Sequence, residues 1–142
     1  MEGTVTVNAI LKDLELTYDH EVVDEGVEHY DIVVDPEEDL RVSGVLYTTD
    51  DGPFFRVMCY VDELDKDHGE EQLTKLMVLN CDIPTGAFCL DPEEGVILVT
   101  VNTPLGDLNA EFLSWTIEFC LAAQDIYFEE FYPENGDELA TS

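Results

Sequence analysis

The chain has 142 residues, of which 34 are Asp or Glu and 5 are Lys or Arg, for a net charge of −29. That balance excludes the ordinary nucleic-acid binder, which needs a basic face to displace counterions from phosphates. About 45% of the residues are apolar, enough for one domain with a real core. No apolar run reaches the roughly 18 residues of a membrane span, and Met-Glu-Gly-Thr lacks the basic and apolar regions of a signal peptide. The expectation is a cytoplasmic protein whose four Cys are free, buried thiols.

The acids are unevenly placed. Twelve lie between Asp13 and Asp39 and thirteen between Leu76 and Ser142, with no Lys or Arg in either stretch. The cations Lys12, Arg41, Arg56, Lys66 and Lys75 are too scattered to neutralise a face. Self-repulsion at this density must be offset by a core, screening salt or a cationic partner.

In chain order, Thr4 to Leu16 carries Val7, Ile10, Leu11 and Leu14 at helical spacing. Three segments then read as strands: Val27 to Val34, Val42 to Thr49 and Phe54 to Asp62. In the second of these, Val42, Gly44 and Leu46 alternate with Ser43, Val45 and Tyr47. Thr49-Asp-Asp-Gly-Pro53 is a turn, with Pro53 expected to end the ladder. A second helix is predicted over Glu70 to Asn80, with Leu73, Leu76, Met77 and Asn80 on one face. Ala87 to Leu90 and Val96 to Val101 form a hairpin around Asp91-Pro-Glu-Glu-Gly95. Asp107 or Asn109 caps a long helix running to about Phe131, and residues 133–142 read as an acidic flexible tail after a single domain over 1–132. The order α-β-β-β-α-β-β-α, with about five antiparallel strands, is that of an α+β fold.

The closing helix has two apolar stripes. Leu113, Ile117, Cys120, Leu121, Gln124 and Phe128 form one, and Phe112, Trp115, Phe119, Ala122 and Ile126 the other. A helix on one sheet needs a single stripe. The second predicts either a wide core contact under a curved sheet or contact with another chain, with self-association as a dimer, because aromatic side chains anchor interfaces.

No pattern for chemistry emerges. Cys59, Cys81, Cys89 and Cys120 show none of the local pairs of a zinc site, and His20, His29 and His68 are isolated. Asp62 to Gly69 fails as a calcium loop, because aligning Gly69 at the sixth position puts Leu64 and Lys66 where oxygen ligands are needed. There is no phosphate-binding glycine loop and no nucleophile elbow around Ser43, Ser114 or Ser142. No cofactor or metal is expected, and an enzyme is the least favoured class.

Leu73-Thr-Lys-Leu-Met-Val-Leu-Asn80, Pro84-Thr-Gly-Ala-Phe-Cys-Leu-Asp91, Gly95-Val-Ile-Leu-Val-Thr100 and the closing helix together resemble a known pattern. It is that of the bacterial type III secretion chaperone-like superfamily, and within it the YbjN-type family of sensory-transduction regulators. The likeness covers about residues 70 to 131. It implies a small acidic α+β protein, often dimeric and without enzyme activity, in which Asn80, Gly86 and Phe88 shape the helix-to-strand connection. The resulting expectation is a protein-binding or chaperone-like domain that holds a partner polypeptide on apolar patches within an acidic rim. Phe112, Trp115 and Phe119, with Met77 as an adaptable neighbour, are the candidate contacts. The alternatives are an acidic decoy for a basic nucleic-acid-binding surface, and a small enzyme.

Overall fold

The computed structural model describes residues 2–132; the expected acidic tail at 133–142 lies outside the described residues. The elements are α1 (Glu2–Asp13), β1 (Thr17–Asp24), β2 (Val27–Asp35), β3 (Leu40–Thr49), β4 (Gly52–Glu63), α2 (Gly69–Asp82), β5 (Ala87–Asp91), β6 (Val96–Pro104) and α3 (Ala110–Phe131). All strands are antiparallel in one sheet of order β1-β2-β3-β4-β6-β5. The α+β class and the meander stand as read from the sequence, but the sheet has six strands instead of about five.

The additional strand is β1. It pairs with β2 from Thr17↔Val33 to Asp24↔Val27, and seven of its eight residues are exposed. Only Tyr18 and His20 pack inward, against the Tyr30 ring, so Thr-Tyr-Asp-His-Glu-Val-Val-Asp has no apolar alternation and carries little strand signal. The order of elements is therefore α-β-β-β-β-α-β-β-α. Gly26 closes the β1–β2 turn with φ +74°, a conformation that costs glycine little.

Alternation in the central strands places the core. Tyr30 and Ile32 of β2, Val42, Gly44 and Leu46 of β3, and Phe55, Val57 and Cys59 of β4 point to one face, with Ile97, Val99 and Val101 of β6. There α1 contributes Val7 and Leu11, and α3 contributes Leu113, Ile117, Cys120, Ala123 and Tyr127. Gly44 is required by packing, because a Cβ there would strike the Phe55 ring. Pro53 does not end the ladder. It lies inside β4, opposite Thr48 next to the turn, where a missing N–H is tolerated.

Two expectations about α2 are corrected. Its buried face is Gln72, Leu76 and Leu79, whereas Met77 is 71% exposed and faces away. Asn80 turns inward because its amide has backbone partners: it accepts from Phe88 N at 2.7 Å and donates to Phe88 O at 3.2 Å. Gly86, with φ +66°, completes that connection, since a Cβ would collide with the Thr100 carbonyl. The expectation of four buried thiols also fails: Cys59 and Cys120 are buried, Cys89 is half-buried, and Cys81 is exposed on the outer side of α2.

Candidate partner-binding surface

Helix α3 starts at Asn109, whose side chain accepts from Phe112 N at 2.8 Å and satisfies one of the free amides of the first turn. Asp107 instead falls in a short 3-10 turn, Leu105–Asp107. From the cap onward α3 buries Leu113, Thr116, Ile117, Cys120, Ala123 and Tyr127. The core stripe thus ends on Tyr127, and Phe128 is 39% exposed.

The second stripe flanks that buried arc. Trp115 stacks on Phe119 with ring centroids 5.5 Å apart and an interplanar angle of 15°. Phe112 meets Trp115 edge-on at 5.9 Å. Phe112 and Phe119 are half-buried, Trp115 is 46% exposed and Ile126 40% exposed. An open depression of about 380 Å³ lies at the cap end, lined by Asn109, Glu111, Phe112 and Trp115. At 100° per residue, Glu111, Glu118, Asp125 and Glu129 fall along the next arc of α3, and all four are exposed. The surface is a ladder of aromatic rings bordered by carboxylates.

Three of the four sequence-predicted contacts, Phe112, Trp115 and Phe119, are thereby brought together. Met77 is not among them. Helix α2 meets α3 near its far end, where Gln72 Nε2 donates to Tyr127 Oη at 2.9 Å and Lys75 Nζ lies 5.4 Å from the Phe131 ring centre. About 18 Å of helix separates Tyr127 from Trp115. Met77 and its exposed neighbour Val78 form a separate small apolar patch on α2.

Two buried polar groups pin the helical layer to the sheet, and neither stood out in the sequence. Glu28 of β2 is 5% exposed. Thr4 Oγ1 of α1 donates to its carboxylate at 2.7 and 2.9 Å, and His20 Nε2 of β1 lies 2.5 Å from Oε1. Burial pushes the Glu28 carboxyl up, but the hydrogen bonds from Thr4 and His20 outweigh it and leave the group below its ordinary value. At the other end, Tyr127 Oη donates to Asp62 Oδ2 at 2.8 Å, and Gln72 also reaches Glu63 O and Asp65 N. Burial, and donation to Asp62, push the Tyr127 hydroxyl well above its ordinary value.

Among the described residues, no His, Cys, Asp and Glu cluster has the arrangement of a metal site, and no helix is long and apolar enough to cross a membrane.

This two-layer architecture has counterparts among solved structures. The HopA1–SchA chaperone–effector complex contains a chain matched with a TM-score of 0.60 at 15% identity, over 89% of this chain and 92% of that one. The Yersinia pestis type III secretion chaperone SycH, solved with a stable fragment of YscM2, gives 0.59 at 14% identity over 88% and 98%. An uncharacterized protein from Methanothermobacter thermautotrophicus gives 0.62 at 18% identity over 89% and 94%. No family model and no curated protein matches the sequence. The chain has a secretion-chaperone-like fold.

Proposed function

We propose that this chain is a non-enzymatic, chaperone-like protein-binding domain, acting in the cytoplasm, that holds an extended apolar segment of a partner polypeptide along α3. The observation that carries this reading is the Phe112–Trp115–Phe119 ladder, left half-open on a fold shared with proteins solved in complex with polypeptide partners. Burying one such ring contributes roughly 1.5 to 3 kcal/mol, and offset stacking adds geometric selectivity for aliphatic or aromatic side chains. The carboxylates beside the ladder steer basic chains toward it and speed encounter more than they add affinity. Met77 and Val78 offer a second apolar foothold beyond the reach of a short segment. The YbjN-type regulators are the relatives proposed from the Leu73–Asn80 and Pro84–Asp91 motifs.

The test uses an unstructured synthetic peptide of alternating Leu and Lys, titrated while Trp115 emission is followed. A blue shift that survives at about 0.5 M salt, where the Debye length falls toward a few ångströms, is the expected result. The shift is weakened in both Phe112→Ala and Phe119→Ala, which keep the single Trp as reporter. Binding that disappears at that salt and is indifferent to both substitutions overturns this reading in favour of an acidic decoy for a basic protein surface.

A further inference from the structure

The sheet has helices on one face, and its other face does not have the composition of a solvated surface. An antiparallel sheet with one wet side reads polar outward. Here the outward positions of β3, β4 and β6 include Val45, Tyr47, Met58, Tyr60 and Leu98, in register across the strands as Val45↔Arg56, Ser43↔Met58 and Tyr60↔Leu98. No carboxylate occurs among the outward residues of these three strands between Arg41 and Tyr47, Phe54 and Tyr60, or Leu98 and Pro104. In a chain with 34 acids this is the one broad strip free of them among the described residues. Asp31 of β2 and Asp91 of β5 mark its margins, and Arg41 covers Asp31 at 2.8 Å.

Three polar side chains within the strip are already paired with one another. Tyr47 Oη and Arg56 Nε both donate to Asn102 Oδ1, at 2.8 and 2.7 Å. The Arg56 guanidinium lies over the Tyr47 ring, 5.0 Å from its centre. Polar groups satisfied in this way need not be stripped of water unpaired when the face is covered, and the arginine lies flat instead of projecting. We propose that this face is the site where a second copy of the chain docks, sheet against sheet.

Charge selects that occupant and that surface. A chain of net charge −29 repels its own copy wherever carboxylates meet. Docking through α3 would set Glu111, Glu118, Asp125 and Glu129 of one copy near those of the other, whereas docking through the sheet opposes apolar rings and two arginines. Three strands of about seven residues give a flat footprint of roughly 330 Å², and the flanking strands β2 and β5 bring it to about 550 Å². Side-chain relief raises that toward the roughly 800 Å² that each partner contributes to a stable interface. The assignment is independent of the partner-binding reading of α3: it moves self-association, expected from the sequence on the aromatic stripe, to the sheet, and leaves the stripe open.

Sedimentation at about 10 µM chain in about 0.15 M salt tests it. The expected result is a dimer that tightens as salt rises. Met58→Glu and Leu98→Glu each weaken it tenfold or more, while Trp115→Glu leaves it intact. Tyr60→Glu, at a position 53% exposed, serves if either core-adjacent variant fails to fold by circular dichroism. A wild-type monomer overturns the proposal, as does a dimer broken by Trp115→Glu and untouched by the sheet variants. So does a monomer whose Met58 methyl resonance shifts only when the Leu–Lys peptide is added, which would give the face to a partner polypeptide. Loss of Trp115 response to that peptide, with the dimer unchanged, defeats the reading of α3 and leaves this one standing.

Discussion

The helical layer is pinned to the sheet at two ends by different chemistry. At the β1–β2 edge an ionised group, Glu28, is buried under α1 and held by Thr4 and His20. At the far end a neutral hydroxyl, that of Tyr127 on α3, sits between Gln72 of α2 and Asp62 of β4. Both remove a polar group from water and both supply it with partners, as burial demands. They differ in what proton uptake does to them. Acid attacks the first anchor by neutralising its carboxylate, and alkali attacks the second by ionising its phenol. The two ends of one small core are therefore sensitive to opposite ends of the pH scale.

The most damaging change to this comparison is deletion of the second anchor together with its packing. Tyr127 is fully buried, with Phe131 stacked on it at 4.1 Å and Phe88 6.2 Å away. Tyr127→Ala should cost about 3 to 5 kcal/mol, the usual range for an aromatic truncated in a core, measured by urea denaturation. Glu28→Ala should cost less, about 1 to 3 kcal/mol, because it strips partners from Thr4 and His20 without emptying as large a volume. If Glu28→Ala proves the more damaging, the charged anchor dominates and the neutral one is mere packing.

How far these anchors were legible in the sequence depends on what each residue type signals. The core strands announced themselves through Val42-Ser-Gly-Val-Leu-Tyr47 and Phe54-Phe-Arg-Val-Met-Cys-Tyr60, because alternation records a buried face. Strand β1 did not, since only Tyr18 and His20 turn toward the Tyr30 ring and its other side chains stay in water. Asn80 was readable, as its place before Gly86 and Phe88 matches a helix-to-strand link. Glu28 was hidden among the twelve acids of its stretch, and only its neighbours in the fold, Thr4 and His20, distinguish it. On α3 the excess of aromatic residues over one stripe foretold the Phe112–Trp115–Phe119 ladder. Met77 was misplaced, because Leu76 and Leu79 bracket it and only the packing of Gln72 against Tyr127 sets the rotation of α2.

A pH experiment sharpens the contrast further. Glu28 has its carboxyl below the ordinary value of 4.5 in the folded state. Its contribution is complete above that value and is lost as pH falls through the lower, folded one. Total stability is a poor readout, because protonating the surface acids relieves self-repulsion in the same window. The difference between wild type and Glu28→Gln removes that background. It should favour wild type at neutral pH and shrink as the pH drops below about 4. A difference that stays constant down to acid denaturation would mean that Glu28 is not ionised in the folded protein.

The smallest effect isolates the neutral anchor alone. Tyr127→Phe keeps the ring and its stacking on Phe131 and removes only the hydroxyl, leaving Gln72 its bonds to Glu63 and Asp65. The expected loss at neutral pH is about 1 kcal/mol, typical of one hydrogen bond. Because burial, and donation to Asp62, raise the hydroxyl above its ordinary value of 10, its contribution is whole below that value and declines as the pH climbs past it. Wild type should therefore lose its advantage over Tyr127→Phe in alkali, whereas the same pair should keep a constant difference between neutral pH and acid, where Glu28→Gln changes. Tyr30 is also buried and also raised, but it is present in both proteins and cancels. A Tyr127→Phe difference that stays constant in alkali would mean that the phenol's ionisation is not linked to the fold.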